Sequence, residues 1–582
     1  MTAGSISAFS KWINPAWLIG PIFDKELRVS SRRRRNYVLR SAYIILLSVF
    51  ILSIWYSIFG IGRSGSAVYL ASRSSQAGKY IITTTVWFQF LVTQLIAVIM
   101  LSSAISDEIR TGTLSVLMTT PIKSFQIVIG KLLSKLLQLI LLLAISLPLL
   151  AVVRVFGGVQ WDYIVSSVCI TLTAAVLAGS LSLLLSMTYR HAYNVILITI
   201  VGYLLIFGAL PGLCTWLAAV GIFDRQMTQS VIALTNPFWA LFRSTSAVFS
   251  IPGRGLKFFS WPAHCLIMLA VTAVLITVSV WRVRKAALCE AFGRPGKLWS
   301  WRALSLGLLA EKRKDSGNID NTGSQSPVGS IIPIGVSPIV WKEMRKGFLG
   351  GKERGAAISV LLIGLFLLTA ILLLFSPKNI IFFAYYLVSG LYLVVMIRLA
   401  VLSAGSIAGE KEARTWPILL ATPLADKEIV RGKAIAAFRR TLPLLLLYLA
   451  LLCIFYVRAG TYKFPQILQI FGSFLVIVAG LVASVLFVIG SGLYFGVRFR
   501  TAAAAVAATV GSYLAVRYLF CGMFNPLRIL LYTMVARLYS PRNPSAIYWV
   551  LYSTTVTFSL IQAGIGLFLG RRAVRRLRRN IF

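Results

Sequence analysis

Acidic residues are scarce in this chain. Its 582 residues include 16 Asp and Glu, 58 Lys and Arg, and two His, which gives a formal net charge of +42 at pH 7. Only 13% of the residues are charged, whereas 58% are hydrophobic. Soluble proteins are about 25% charged and about 45–50% apolar. The composition therefore excludes a soluble enzyme, a disordered basic protein and a secreted disulfide-rich domain.

Motifs for chemistry are also lacking. The six cysteines show no CxxC pair or other ligand spacing, so the sequence predicts no metal site and no disulfide framework. No GxxxxGK[ST] phosphate loop occurs. The acidic residues fall in loops or at the edges of apolar runs, which disfavours carriers for proton or sodium coupling. We expect no catalytic residues and no cofactor bound by this chain itself.

Long apolar runs, in contrast, are abundant. A membrane-spanning helix needs about 20 predominantly apolar residues. Twelve stretches of suitable length are predicted as spans: 38–59, 81–104, 132–153, 163–187, 192–210, 262–281, 356–375, 380–406, 441–457, 466–495, 501–520 and 547–569. The predicted fold is an all-α, polytopic integral membrane protein with about twelve transmembrane helices.

The spans divide the chain into four parts. Residues 1–37 form a basic, amphipathic arm, and residues 38–285 form a first six-span unit. Residues 286–336 are polar, with little apolar periodicity, and are predicted to be a partly disordered cytoplasmic linker. Residues 337–582 form a second six-span unit. An even number of spans makes the two units parallel repeats.

The basic residues predict the orientation. If the N-terminus lies in the cytoplasm and the spans alternate, most Lys and Arg residues fall in inner loops, as the positive-inside rule requires. We therefore expect both termini to be cytoplasmic, in a cell inner membrane. Because these charges lie beside apolar runs and not in a separate basic domain, the expected partner is the lipid bilayer and not nucleic acid.

One stretch of sequence occurs twice. Residues 105–131 align with residues 407–433 at a constant offset of 302, with ten of 27 positions identical. A weaker similarity relates DKEL at residues 24–27 to WKEM at residues 341–344. The duplication supports two tandem units.

Each copy predicts a short helix in a cytoplasmic loop. In the first, Thr113 is a candidate N-cap, Leu114, Leu117 and Met118 share one face, and Pro121 stops the helix.

The second copy has the same plan. Thr415 is the candidate cap, Trp416, Leu419 and Leu420 occupy the matching face, and Pro423 stops the helix. Two interpretations remain open, namely a helix that lies on lipid headgroups and a helix that docks a cytoplasmic partner. Because the same face is kept twice, docking is favoured.

These residues carry a family resemblance. The pattern Glu108-x-x-x-Gly112-Thr113-Leu114, then Thr120-Pro121, then Gly130-Lys131 resembles permease subunits of type-2 ABC transporters, as do Asn14-Pro15 and Lys25-Glu26-Leu27-Arg28 before the first span. The second copy keeps Glu410 but has Arg414 in place of Gly112.

The resemblance implies that the repeated loops are coupling helices. They would insert into an ABC ATPase subunit, present in two copies, that binds ATP and drives an exporter. The residues it implicates in coupling are Glu108, Thr113, Leu114, Leu117, Met118, Pro121, Glu410, Thr415, Trp416, Leu419, Leu420 and Pro423. The alternative is a membrane scaffold or regulator that uses the same loops to dock a partner without transport.

A single basic residue falls inside a predicted span. Arg398 lies about halfway along 380–406, where an arginine facing lipid would cost about 2.5–3.5 kcal/mol. It is a candidate contact in a translocation path. Pairing with backbone carbonyls, or snorkelling towards the interface, is the alternative.

Overall fold

The computed structural model describes residues 21–26, 67–157, 159–189, 191–249, 260–291, 337–345, 352–375, 381–459, 464–517 and 544–578, together with scattered residues between 28 and 52. Within these ranges the chain is helical apart from short turns and contains no strand. The all-α class predicted from the sequence is confirmed.

The helices of the first half follow one another along the chain with short turns. Their bounds are α1 Ala67–Ser102, α2 Ser106–Thr111, α3 Thr113–Met118, α4 Ser124–Gly157, α5 Trp161–Ser186, α6 Ala192–Leu204, α7 Leu210–Val220, α8 Arg225–Thr235, α9 Pro237–Phe249 and α10 Trp261–Ala291. A π-helical turn, Leu205–Ala209, joins α6 to α7 without a break.

The second half has a similar order. Its helices are α11 Pro338–Arg345, α12 Lys352–Phe375, α13 Ile381–Glu412, α14 Trp416–Leu420, α15 Asp426–Ala459, α16 Phe464–Arg498, α17 Ala502–Arg517 and α18 Pro544–Arg576.

Membrane-spanning helices account for most of this architecture. Among the described residues, eight helices are long and apolar enough to cross a bilayer, and two shorter apolar helices, Val360–Phe375 and Ala502–Arg517, accompany them. The chain is thus a multi-pass membrane protein. Largely or wholly outside the described residues lie the predicted span 38–59, most of the arm 1–37, linker residues 292–336 and residues 518–543.

Several helices extend beyond the apolar runs that predicted them. Helix α4 begins at Ser124 and α15 at Asp426, well before the predicted spans at 132 and 441. Helix α10 continues to Ala291, into the segment predicted as linker. Hydropathy marks only the part of a helix that lies in lipid, so a polar helical extension escapes it.

The largest apolar core contains residues from both halves of the chain. Helix α6 packs against α13, where the Leu204 side chain lies over Gly390. Close approach of membrane helices depends on such small residues, because lipid leaves little hydrophobic drive for helix association.

Among the described residues, a very close helix contact joins α16 to α18. A methyl group built on Gly566 would lie 2.5 Å from the Phe487 Cα and 2.6 Å from the Leu486 carbonyl oxygen. Both obstacles are backbone atoms, so the two helices would have to separate to admit any side chain.

We expect Gly566→Ala to lower the melting temperature of the detergent-solubilised chain, with a destabilisation of about 1–3 kcal/mol from overpacking. Gly564→Ala, on the same helix, is the matched control, because a methyl group there meets nothing within 4 Å. Equal melting temperatures for the two variants would contradict the close contact.

Candidate functional site

The two short helices predicted in the cytoplasmic loops exist as α3 and α14. Helix α3 follows the six-residue helix α2, and α14 follows the long helix α13, each through a sharp turn. The residue at the turn has left-handed backbone: φ is 75° at Gly112 and 56° at Arg414. These two positions are equivalent in the repeated stretch. Glycine adopts this conformation readily, whereas arginine pays about 1–3 kcal/mol for it. The backbone turn is therefore kept in the second half although the glycine is not.

Neither of the threonines that follow the turns makes a side-chain cap hydrogen bond, and only Thr415 lies at the predicted N-cap position. The hydroxyl of Thr113 donates backwards to the Glu108 carbonyl at 3.4 Å, and that of Thr415 donates to the Glu410 carbonyl at 3.4 Å. Gly112 occupies the N-cap position of α3, and Thr415 occupies that of α14 without a side-chain cap bond. The hydroxyls close the turns because they lie nearer to the preceding carbonyls.

The ends of the short helices agree with the sequence pattern. Helix α3 ends at Met118 and α14 at Leu420, before Pro121 and Pro423 respectively. Both prolines are exposed.

The face predicted for docking is turned largely towards the protein itself. Leu114 is fully buried among residues of α1, α4 and α10, and Met118 packs against the same cluster. Trp416 is 1% exposed and is packed with Leu419 and Leu420 in the corresponding cluster of the second half. An apolar face at helical spacing is satisfied equally well by the protein's own helices, and here these helices cover it.

The side chains that point outwards are different ones. Val116 on α3 is 64% exposed and Ile418 on α14 is 69% exposed. They occupy equivalent positions in the repeat, 302 residues apart. Each half thus presents one β-branched apolar side chain at the surface of its loop. Leu117 is half-buried and borders this surface.

A buried lysine anchors each loop. In the first half, Lys131 Nζ lies 2.6 Å from Glu108 Oε1 and 3.8 Å from Glu26 Oε1. In the second half, Lys433 Nζ lies 3.2 Å from Glu410 Oε1 and 3.4 Å from Glu343 Oε1. The side chains of Lys131 and Lys433 are only 6% and 1% exposed.

These two lysine clusters join the same three segments in each half. The lysine comes from the polar start of α4 or α15, and one glutamate precedes the short helix. The other glutamate comes from the segment before the unit's first long helix: Glu26 in the described arm residues 21–26, and Glu343 in α11. A buried charge is stable only when it is paired, so each lysine holds all three segments together.

Further pairs reinforce the clusters. Lys135 Nζ lies 3.4 Å from Glu26 Oε2, and Lys342 Nζ lies 3.2 Å from Glu410 Oε1. Lys433 also donates to the Ser406 carbonyl at 2.8 Å, which ties the cluster to α13. The weak similarity between DKEL and WKEM was the sequence signal for Glu26 and Glu343. No sequence pattern predicted the ion pairs that these glutamates make.

Arg398, the candidate for a translocation path, is buried in the second half. Its side chain is 1% exposed, and Nη2 on α13 donates to the Arg440 carbonyl of α15 at 3.1 Å. This contact is the carbonyl pairing that was the alternative to a path residue. A part in translocation stays a prediction.

We expect Lys433→Met to destabilise the chain by about 3–5 kcal/mol, because the buried carboxylates of Glu343 and Glu410 would lose the ammonium group that both contact, and Glu410 would keep only the half-exposed Lys342. Combining it with Glu343→Gln and Glu410→Gln should recover most of the loss. Lys342→Met, whose side chain is 50% exposed, is the control and should cost about 1 kcal/mol or less. Unfolding in detergent followed by tryptophan fluorescence measures all three. A triple variant no more stable than Lys433→Met would show that charge pairing is not what the lysine supplies.

Comparison with protein families adds an independent finding. Residues 21–288 match the model of the ABC-2 family transporter protein family. The matched segment contains Glu26, Glu108 and Lys131, as well as helix α3. No curated protein matches the chain.

Proposed function

Starting from the membership of residues 21–288 in the ABC-2 transporter family, we propose that the chain is the membrane-spanning part of an ABC exporter. Its two halves act as two fused permease units, and its cytoplasmic loops receive ATP-binding subunits, one on each half. ABC-2 permeases usually work with a separate ATP-binding subunit. The sequence agrees with this division of labour, because it contains no phosphate-loop motif.

The observation that carries the proposal is the paired exposure of Val116 and Ile418. Both side chains lie at the same repeat position, whereas Leu114 and Trp416 on the same helices are buried and the remaining leucines are half-buried. Burying one such side chain in a groove contributes about 1.5–3 kcal/mol. A pair of equivalent contacts suits two copies of one partner.

The lysine clusters supply the route from these contacts to the membrane. A push on α3 acts on Glu108 through a single turn, and Glu108 is held by Lys131 at the start of α4. Glu410 and Lys433 connect α14 to α15 in the same way. Movement of a docked subunit therefore reaches a long helix and the preceding arm together.

We expect a Val116→Asp, Ile418→Asp variant to lose association with its ATP-binding subunit. Both positions are exposed, so the carboxylates are hydrated in the free chain. They would be desolvated without partners in a docked complex, at a cost of several kcal/mol. Each 1.4 kcal/mol lowers affinity about tenfold. The measurement is co-purification from native membranes, with the retained subunit identified by mass spectrometry and its ATPase rate recorded.

Met227→Asp is the matched control, since Met227 is 70% exposed on α8, far along the chain from both loops. It should leave association unchanged. Undiminished association of the double variant would contradict docking at these loops. An ATPase that binds and hydrolyses ATP without moving any substrate across the membrane would favour the scaffold alternative.

The proposed topology places α3 in the cytoplasm and the turn between α7 and α8 outside. We expect a cysteine introduced at Phe223 to react with an impermeant maleimide in intact cells, and one at Lys123 to react only after lysis. Both native side chains are exposed, so access differs by compartment and not by burial. Labelling of position 123 in intact cells would show that the topology is the reverse of the one proposed.

A further inference from the structure

Among the described residues, an ion pair joins the loop that carries α3 to the loop that carries α14, here called the two docking loops. Arg110 Nη1, in the first half, lies 3.5 Å from Glu412 Oε2 in the second half. Their side chains are 28% and 13% exposed, so solvent screens the pair less than it would a fully exposed one. Arg110 is the penultimate residue of α2, the helix before α3, and Glu412 is the last residue of α13, the helix before α14.

These two residues hold the same position in the repeat. Arg110 and Glu412 are 302 residues apart, the offset that aligns residues 105–131 with 407–433. When a residue contacts its own equivalent in a second copy, that contact lies at the symmetry axis relating the copies. Two identical charges there would repel one another. This chain instead has opposite charges at the axis, an arrangement open only to two different halves.

The surroundings of the pair fix both side chains. Arg110 Nη2 lies 3.6 Å from Asp107 Oδ1 on its own helix. Glu412 Oε1 accepts the Ala502 backbone N–H at 2.8 Å, at the first residue of α17. A carboxylate is favoured at a helix N-terminus by the unpaired N–H groups there. The neighbouring Lys411 ammonium is engaged elsewhere, as it donates to the Val497 carbonyl.

We propose that Arg110 and Glu412 are positioning residues that tie the two docking loops into one unit, so that displacement of either loop by its ATP-binding subunit is passed to the other. This inference rests on the proposed function. Each residue lies six positions before the exposed side chain of its loop, Val116 or Ile418, and is separated from it only by the left-handed turn and part of the short helix. The pair is thus the direct connection between the two docking points.

The first test uses the full chain without any partner. Cysteines at positions 110 and 412 are joined in membranes with a bis-maleimide, because side chains that meet at their tips can lie too far apart for a direct disulfide, which needs Cα atoms within about 7 Å. A protease site introduced between residues 311 and 326 is then cut. We expect the two halves to remain joined on a non-reducing gel, whereas the chain without the new cysteines separates. Failure to cross-link would overturn the contact, whether or not an ATPase binds.

The second test is a charge exchange, measured with the ATP-binding subunit that co-purifies with the chain. Arg110→Glu and Glu412→Arg each oppose like charges and should lower the ATPase rate per complex about fivefold or more, the lower end of typical coupling effects. The double exchange restores opposite charges and should recover part of the lost rate, because contacting residues are non-additive. Recovery should be incomplete, since a glutamate at 110 lies beside Asp107 and an arginine at 412 cannot accept from the Ala502 N–H. Glu412→Gln separates the two roles of Glu412, since its amide oxygen can still accept from Ala502 while the charge is lost.

The readout distinguishes coupling from mere stability. A purely structural pair would change the yield of folded complex and leave the rate per complex and its Hill coefficient for ATP unaltered. Loss of the Hill coefficient in the single exchanges, with recovery in the double exchange, supports the proposal. Additive effects, or no effect on rate, overturn it. If no ATPase co-purifies with the wild-type chain, the proposed function fails and the cross-link alone decides the contact.

Discussion

The architecture around the two repeated loops depends on the burial of a lysine between two glutamates. Removing an ammonium group from water costs several kcal/mol unless carboxylates replace the lost hydration. Lys131 and Lys433 meet this condition only when three separate segments converge on them. The arm, the loop and the start of the long helix therefore cannot shift independently. Under the proposed function, such a stiff junction would transmit a displacement of the loop to the long helix. An apolar contact of similar size would let the segments shift past one another more easily, because apolar contacts are not directional.

The sequence predicted much of this fold, for identifiable reasons. Membrane-spanning helices can be recognised from long apolar runs, because the residues that face lipid are predominantly apolar. The loops were found through the repeat, in which ten identities cluster between 105 and 131. Hydropathy did not predict the polar start of α4, where Lys131 lies. Helical turns that carry charged residues cannot be told from loops in a hydropathy profile. The partner Glu26 is about a hundred residues away, and only folding brings it near.

Helix α3 shows a different limit of sequence reasoning. Leu114, Leu117 and Met118 form an apolar face at helical spacing, and such a pattern tells which face is buried but not against what. In the structure Leu114 is buried against the protein's own helices, while the Val116 side chain is exposed. A five- or six-residue helix has no room for two separate apolar faces. The first face fixes the helix to the protein, so the docking contact that we propose rests on Val116, with the half-buried Leu117 at its border.

The two halves differ where the repeat would have made them equal. At the turn, Arg414 replaces Gly112 yet has the same left-handed backbone, a conformation that costs free energy. Hydrogen bonds around the turn offset this cost; the Thr415 amide, for example, donates to the Glu410 carbonyl at 3.0 Å. Two positions earlier, Arg110 and Glu412 carry opposite charges and meet. A homodimer of either half could not make this pair, since it would place arginine against arginine or glutamate against glutamate. Joining two diverged units in one chain thus permits an attractive contact at the place where symmetry would otherwise impose repulsion. The same divergence means that the two loops need not respond equally to a partner, although they are connected.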